Sequence, residues 1–186
     1  MANGLVVLIS GRGSNLQAIL ESPLGEQVVA VISDNPDAAG LAIARTHNKP
    51  VAVCCANTPT EVEEQLLQTL AQYQPALIAL AGFMRILSPR FLAACCAPLV
   101  NIHPSLLPAF RGLNTHRRVL AAGEREHGCS IHWVTAELDG GAVIACEKLT
   151  VSNDDDEESL ANRVLAIEHR LYPRILVQLL NNKKEQ

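Results

Sequence analysis

The sequence predicts an α/β fold: a mostly parallel sheet with helices on both faces and antiparallel strands added toward the C-terminal half. Three features of the 186-residue chain predict it. Short aliphatic runs alternate with helical segments of about ten residues, which is the signature of right-handed βαβ crossovers. Residues 76–81 are apolar without interruption between Pro75 and Gly82, as in a strand covered on both faces. Two later strand-like stretches are joined through Asp139-Gly140-Gly141, a hairpin signal. Together these describe a Rossmann-like sheet with a mixed edge.

Taken in order, residues 5–10 form a β-branched strand, and a Gly-rich turn follows. Residues 14–21 place Leu16, Ile19 and Leu20 at helical spacing. Residues 28–32 are the next strand, ending in the turn-rich Ser33-Asp34-Asn35-Pro36. A helix over 38–47 and a strand over 51–54 come next. Residues 60–73 carry the stripe Val62, Leu66, Leu67 and Leu70, with Thr60 expected as N-cap and Glu63 three residues on. After the strand at 76–81 come a short helix (89–96), a short strand (99–102) and a Pro/Gly-rich loop (104–112). A helix (115–122) and the strands 129–135 and 142–151 follow. The last helix is expected to start near Ser152 or Asn153. Asp154, Asp155, Asp156, Glu157 and Glu158 would complement its dipole at one end, and Lys183 and Lys184 at the other. Pro173 is expected to kink or divide it.

Composition narrows the function. The chain is 48% apolar and 18% charged, with a net charge of −4. That fits a single globular domain and excludes both wholesale disorder and the broad basic surface of a nucleic-acid binder. No apolar run approaches a bilayer span, and no basic segment precedes the first one, so a soluble cytoplasmic protein is expected. The six cysteines (54, 55, 95, 96, 129, 146) match no zinc or thioredoxin spacing. They read as reduced, mostly structural thiols. No ligand set for a metal is expected.

In a parallel sheet, ligands sit outside the carboxyl ends of the strands. The loops after Ser10, Ile32, Ala81 and Val100 are therefore the places to look. Gly11-Arg12-Gly13-Ser14-Asn15 follows a strand and opens a helix. Leu16 stands where a dinucleotide fingerprint needs a third glycine, and no Walker lysine follows. The loop suits one phosphate, or is a tight βα turn with Ser14 as N-cap. Asn101 and His103 lie two apart on an extended segment, so their side chains point the same way. An amide donor beside an imidazole suits a reaction that creates an oxyanion and moves a proton. Asp139 is either the turn residue of a hairpin or an acid that holds His103 or a water. His116 and His132 read as helix-surface and strand-face residues. Arg111, Arg117, Arg118 and Arg125 form a solvated face or neutralise a phosphorylated substrate.

Five segments carry a resemblance to a known family: Gly11-x-Gly-Ser-Asn15, the stretch from Ala81 to Pro89 (AGFMRILSP), the stretch from Asn101 to Pro108 (NIHPSLLP), Gly128-Cys-Ser-Ile-His132 and Glu137-Leu-Asp-Gly-Gly141. In this order and spacing the chain resembles the phosphoribosylglycinamide formyltransferases, folate-dependent enzymes of purine synthesis. The resemblance implies the formyltransferase fold over residues 1–186, with a phosphate-binding half (1–100) and a catalytic, folate-binding half (101–186). It implies transfer of the formyl group of 10-formyltetrahydrofolate, a co-substrate, to the amine of glycinamide ribonucleotide. No metal is implied, and no nucleic-acid or membrane partner. A monomer or weak homodimer is expected.

Carried over residue by residue, Asn101, His103 and Asp139 match the catalytic trio. Gly13, Ser14, Asn15 and Glu168 match residues that hold the ribonucleotide and its phosphate. Met84, Arg85, Ile86, Leu87, Asn101, Thr135, Ala136, Glu137, Leu138 and Asp139 match the folate pocket. The chain departs from the pattern in three places. Asn57-Thr58-Pro59-Thr60 offers no arginine before the third helix, Ala142 stands where proline is common, and the chain ends soon after the last helix. The alternative activity is that of a formyltetrahydrofolate hydrolase. Its relatives carry an extra N-terminal domain that this sequence does not contain, and usually a histidine where Pro104 stands.

Overall fold

The structure is a computed structural model that describes residues 4–184. It opens with β1 (Leu5–Ile9), α1 (Ser14–Glu21) and a single 3-10 turn (Pro23–Gln27). These lead into β2 (Val28–Ser33), α2 (Ala39–Thr46), β3 (Val51–Val53) and α3 (Pro59–Tyr73). The chain continues through β4 (Leu77–Leu80), α4 (Pro89–Ala94), β5 (Leu99–His103) and α5 (Thr115–Ala121). It ends with the hairpin strands β6 (Glu126–Trp133) and β7 (Val143–Thr150) and the long α6 (Glu157–Lys184). The seven strands form one sheet in the order β3-β2-β1-β4-β5-β6-β7. β1 to β5 run parallel, β6 pairs antiparallel to β5, and β7 pairs antiparallel to β6. This is the mixed architecture that the sequence predicts.

The period-two geometry of the strands sorts the core into two layers. On one face Leu5, Val7 and Ile9 of β1 pack with Leu77, Ala79, Val100 and Ile131 against α1, α2 and α6. On the other, Val6 and Leu8 pack with Ile32, Ile78, Leu80 and Leu99 against α3 and α4. β1 pairs with β2 on one side and β4 on the other, so the chain reverses its winding at β1. The crevice at such a switch point, outside the strand ends, is the expected ligand site of the sheet.

Several local expectations are corrected. Thr58, not Thr60, caps α3: its hydroxyl accepts from the Glu61 amide, and Glu61 reaches back to the Thr58 amide at 3.0 Å, with Pro59 in the first turn. The helix therefore starts before the apolar stripe does, where Pro has no amide to lose. α1 is capped by Gly13 at φ 81°, and Ser14 is its first helical residue. β6 begins at Glu126, three residues earlier than its β-branched run suggests, because β7 offers it partners as far as Thr150. α6 begins at Glu157. Asp156 lies just before it, where its carboxylate accepts from the Ser159 amide at 2.7 Å. That capping bond holds the Asp156 carboxyl below its ordinary pKa. Asp155 accepts from the Ser152 amide and pairs with Arg163. Pro173 does not divide α6, which runs through it. Neighbouring Leu171, Tyr172 and Ile175 are buried against the sheet, so packing of the apolar face offsets the lost backbone bond. The Lys183 and Lys184 side chains lie outside the described residues.

One contact of α6 sets the spacing of the strand ends. The Tyr172 hydroxyl is buried and lies 2.9 Å from the Leu80 carbonyl oxygen and 3.0 Å from that of Val100. It bridges β4 and β5 near their carboxyl ends. Tyr172→Phe removes the one hydroxyl hydrogen that the two carbonyls share as an additional donor. We expect the unfolding free energy to fall by about 1–3 kcal/mol, read as a lower denaturant midpoint at unchanged m-value.

Candidate active site

A cavity of about 1130 Å³ opens at the switch point and runs along the ends of β1, β4 and β5. At one end lies the loop from Ser10 to Asn15. Helix geometry leaves the first amides of α1 without partners inside the helix, and they face this end as donors for an anion. Asn15 Nδ2 donates to Glu168 Oε2 of α6 at 2.7 Å, while Asn15 Oδ1 is buried and has no partner among the described residues. Glu168 is 5% exposed, and burial pushes its carboxyl up to about 7 against the smaller opposing effect of the Asn15 bond. Gly13, Ser14, Asn15 and Glu168 thus share one wall, although some 150 residues separate them along the chain.

The middle of the cavity is built by β5, β6 and two loops. Asn101 pairs with His132 across the β5–β6 ladder, and Asn101 Nδ2 donates to His132 Nε2 at 3.2 Å. His132 Nδ1 lies 3.0 Å from the Trp133 carbonyl, which can only accept. This fixes the tautomer: Nδ1 carries the proton and Nε2 the lone pair. Burial lowers the His132 pKa, the largest of several effects, and favours that neutral ring. His103 Nε2 likewise donates to the Phe110 carbonyl at 3.1 Å, which leaves Nδ1 facing Asp139 Oδ2 at 3.5 Å. The Asp139 carboxylate is 8% exposed. Its Oδ2 accepts from the Gly112 amide at 2.8 Å, and its Oδ1 lies 3.6 Å from His132 Nε2. Asp139 sits at φ 49°, in a connection spanning 134–142 rather than in a two-residue turn. The hairpin exists, but its turn is longer than Asp-Gly alone suggests. The left-handed backbone aims the carboxylate back at His103.

Met84, Arg85, Ile86 and Leu87 also line the cavity, as do Thr135, Ala136, Glu137 and Leu138. The 82–88 segment is tied down at both ends. Ser10 N donates to the Gly82 carbonyl at 3.2 Å, and Met84 N donates to Ser10 Oγ at 2.9 Å. Ser88 donates through its amide and hydroxyl to Glu63 of α3, at 2.7 and 2.6 Å. Arg85 is held by Asp34 at 2.6 Å. Met84, Ile86, Leu113 and Leu138 are exposed apolar residues on the cavity rim, the kind of surface a flat apolar ligand covers. Residues 57–60 do not line the cavity.

Sequence reasoning missed His132, which it treats as an ordinary strand residue. Its presence in the Gly128-to-His132 motif was the available signal. It also missed the His116–His127 contact at 3.0 Å beside the cavity, where burial lowers both rings and brings His127 to about 4. The arginine cluster contributes no cation to the cavity. Arg111 pairs with Glu137, Arg118 donates to the Arg111 and Leu113 carbonyls and lies over Phe110, and Arg117 and Arg125 are exposed. The lining cations are Arg12 and Arg85. Among the described residues no cluster of three or more His, Cys, Asp or Glu has metal-site geometry, and no helix is long and apolar enough to cross a membrane.

Comparison with known proteins agrees with this architecture. The chain is 44% identical to the phosphoribosylglycinamide formyltransferase of Escherichia coli (strain K12), over 92% of this chain and 84% of that protein. It is 41% identical to the trifunctional purine biosynthetic protein adenosine-3 of Drosophila melanogaster, over 95% of this chain but 14% of that much longer protein. A solved phosphoribosylglycinamide formyltransferase from Coxiella burnetii, in complex with CHES, has a TM-score of 0.88 at 44% identity, over 95% of this chain and 86% of that one. The formyl transferase family matches residues 4–176, from β1 into the second half of α6. With fold, cavity and sequence in agreement, the chain belongs to the formyl transferase family.

Proposed function

We propose that this chain transfers the formyl group of 10-formyltetrahydrofolate to the amine of glycinamide ribonucleotide. The products are formylglycinamide ribonucleotide and tetrahydrofolate, as in de novo purine synthesis. The observation that carries this reading is the single cavity that joins three parts: an anion-ready loop, a buried amide–imidazole–carboxylate group, and an apolar rim. Gly13, Ser14 and Asn15 would hold the phosphate and Glu168 the ribonucleotide. Met84 to Leu87, Asn101 and Thr135 to Asp139 would hold the folate. We take residues 1–186 as one formyltransferase domain with a phosphate-binding part over 1–100 and a catalytic, folate-binding part over 101–186. It would work in the cytoplasm as a monomer or weak homodimer, without metal.

In this reading the substrate amine attacks the formyl carbon and an oxyanion develops. One Asn101 amide hydrogen is committed to His132, and the other is free to donate to that oxyanion. Such a donor is worth roughly 3–4 kcal/mol in the transition state. His103 offers Nδ1, the nitrogen not bound to Phe110, for proton delivery to the oxyanion or the departing folate nitrogen. Asp139 faces that nitrogen and can hold a charged imidazole or a water that takes the amine proton.

Three outcomes test the assignment. Asp139→Asn should lower turnover by about 10²–10⁴ at unchanged circular dichroism, and near-normal turnover removes the acid from the chemistry. Wild-type protein should release tetrahydrofolate only when glycinamide ribonucleotide is present; free formate without it would indicate hydrolysis instead. Glu168 binds its proton more tightly in the folded chain than a carboxyl with the ordinary value of 4.5. Its contribution to stability is therefore full below about 4.5 and is lost as pH rises through about 7. Urea unfolding of wild type and Glu168→Gln should show wild type losing stability relative to the variant across that window. Parallel curves would contradict the buried-carboxyl account.

A further inference from the structure

The loop proposed to grip the phosphate does not hold its own position. Its outer side rests on the first turn of α2, through a residue that no motif in the sequence singled out. Gly40 is buried, and its amide donates to the Gly11 carbonyl at 3.0 Å. A Cβ on Gly40 would lie 2.6 Å from Ile9 Cδ1, 3.2 Å from Gly13 Cα and 3.4 Å from the Gly11 carbonyl oxygen. Seen from the other side, a Cβ on Gly13 would lie 2.6 Å from Gly40 Cα. The two glycines are in backbone-to-backbone contact, and neither has room for a methyl group. Ile9 ends β1, so the three neighbours of an added methyl belong to the end of that strand and to the loop, and the loop lines the cavity. Gly40 itself does not line that cavity.

We propose that Gly40 is a positioning residue that sets how far the 11–15 loop sits from the cavity, and so sets selectivity for a phosphorylated acceptor. This rests on the reading of that loop as the phosphate grip. The added methyl of Gly40→Ala must gain close to 1 Å from Ile9 Cδ1, a side-chain end that can turn away, and a few tenths of an ångström from Gly13 Cα in the loop. A loop that yields by those tenths tilts the α1 amides off the phosphate. Binding at the folate end changes less, because the 82–88 segment meets this loop only through Ser10, which precedes Gly11, and is held at its other end by Ser88 and Glu63. The physical reason is the short range of amide–phosphate bonds: a displacement of this size spoils several at once.

The test compares kcat/KM for glycinamide ribonucleotide with that for its dephosphorylated ribonucleoside, together with the Kd of a folate analogue and the thermal midpoint. In Gly40→Ala we expect the preference for the phosphorylated acceptor to drop several-fold, through KM, with folate affinity changing clearly less. Ile9→Val with Gly40→Ala guards against failure to fold. It removes Cδ1, the tightest neighbour, and leaves the two contacts made to the loop. It should regain thermal stability and still discriminate poorly, whereas Ile9→Val alone should discriminate like wild type. Full discrimination in both alanine-bearing variants overturns the proposal, as does an equal loss of folate affinity. If wild type shows no preference for the phosphorylated acceptor, the phosphate-grip reading fails and takes this inference with it. If wild type shows the preference and the variants keep it, only the role of Gly40 fails.

Discussion

A carboxylate taken out of water has to be compensated, and the requirement at Asp139 organises the centre of this molecule. Its oxygens meet the Gly112 amide, the His103 ring and the His132 ring, which come from three separate segments. Removing the Gly112 amide contact would leave the carboxylate short of a donor, which costs more than the net value of the contact. The same contacts fix the orientation of both imidazoles. Each ring spends one nitrogen on a backbone carbonyl, of Phe110 or Trp133, and presents the other to the site. The tautomers therefore follow from the backbone.

The sheet explains why these groups meet there. Parallel strands end together, so the loops after β1, β4 and β5 share one edge of the sheet. The winding reversal at β1 keeps helices from covering the gap between them. The switch to antiparallel pairing at β6 adds what a purely parallel sheet lacks: a strand arriving from the opposite direction, with His132 in register with Asn101. The long connection between β6 and β7 then returns across the cavity with Asp139. α6 closes the arrangement from behind, with Tyr172 on the strand ends and Glu168 on Asn15.

Stability and site geometry are coupled at the phosphate end as well. Gly13 adopts a backbone conformation that side chains disfavour and lies against Gly40 with no space to spare. Close packing of backbone on backbone transmits small displacements, because a protein interior yields little. A helix outside the cavity can in this way govern how an anion is held inside it.

Much of this was legible in the sequence. Apolar runs located the seven strands of the sheet, and apolar stripes and terminal charges its α-helices but not the 3-10 helix Pro23–Gln27, because burial on two faces or one stripe leaves a direct trace in residue order. Asn101 and His103 were visible as a pair because both lie on one short extended segment. Asp139 was legible only through its motif, since Asp-Gly is also what an ordinary hairpin turn uses. Other features needed three dimensions: the part played by His132 and its neutral tautomer, the displacement of the arginine cluster from the cavity, and the contact between Gly13 and Gly40. Each depends on which strand pairs with which and in what register, and on how closely two backbones approach. Those quantities are set by the packing of residues distant along the chain, so residue order determined the elements and their chemistry while tertiary structure decided which groups meet.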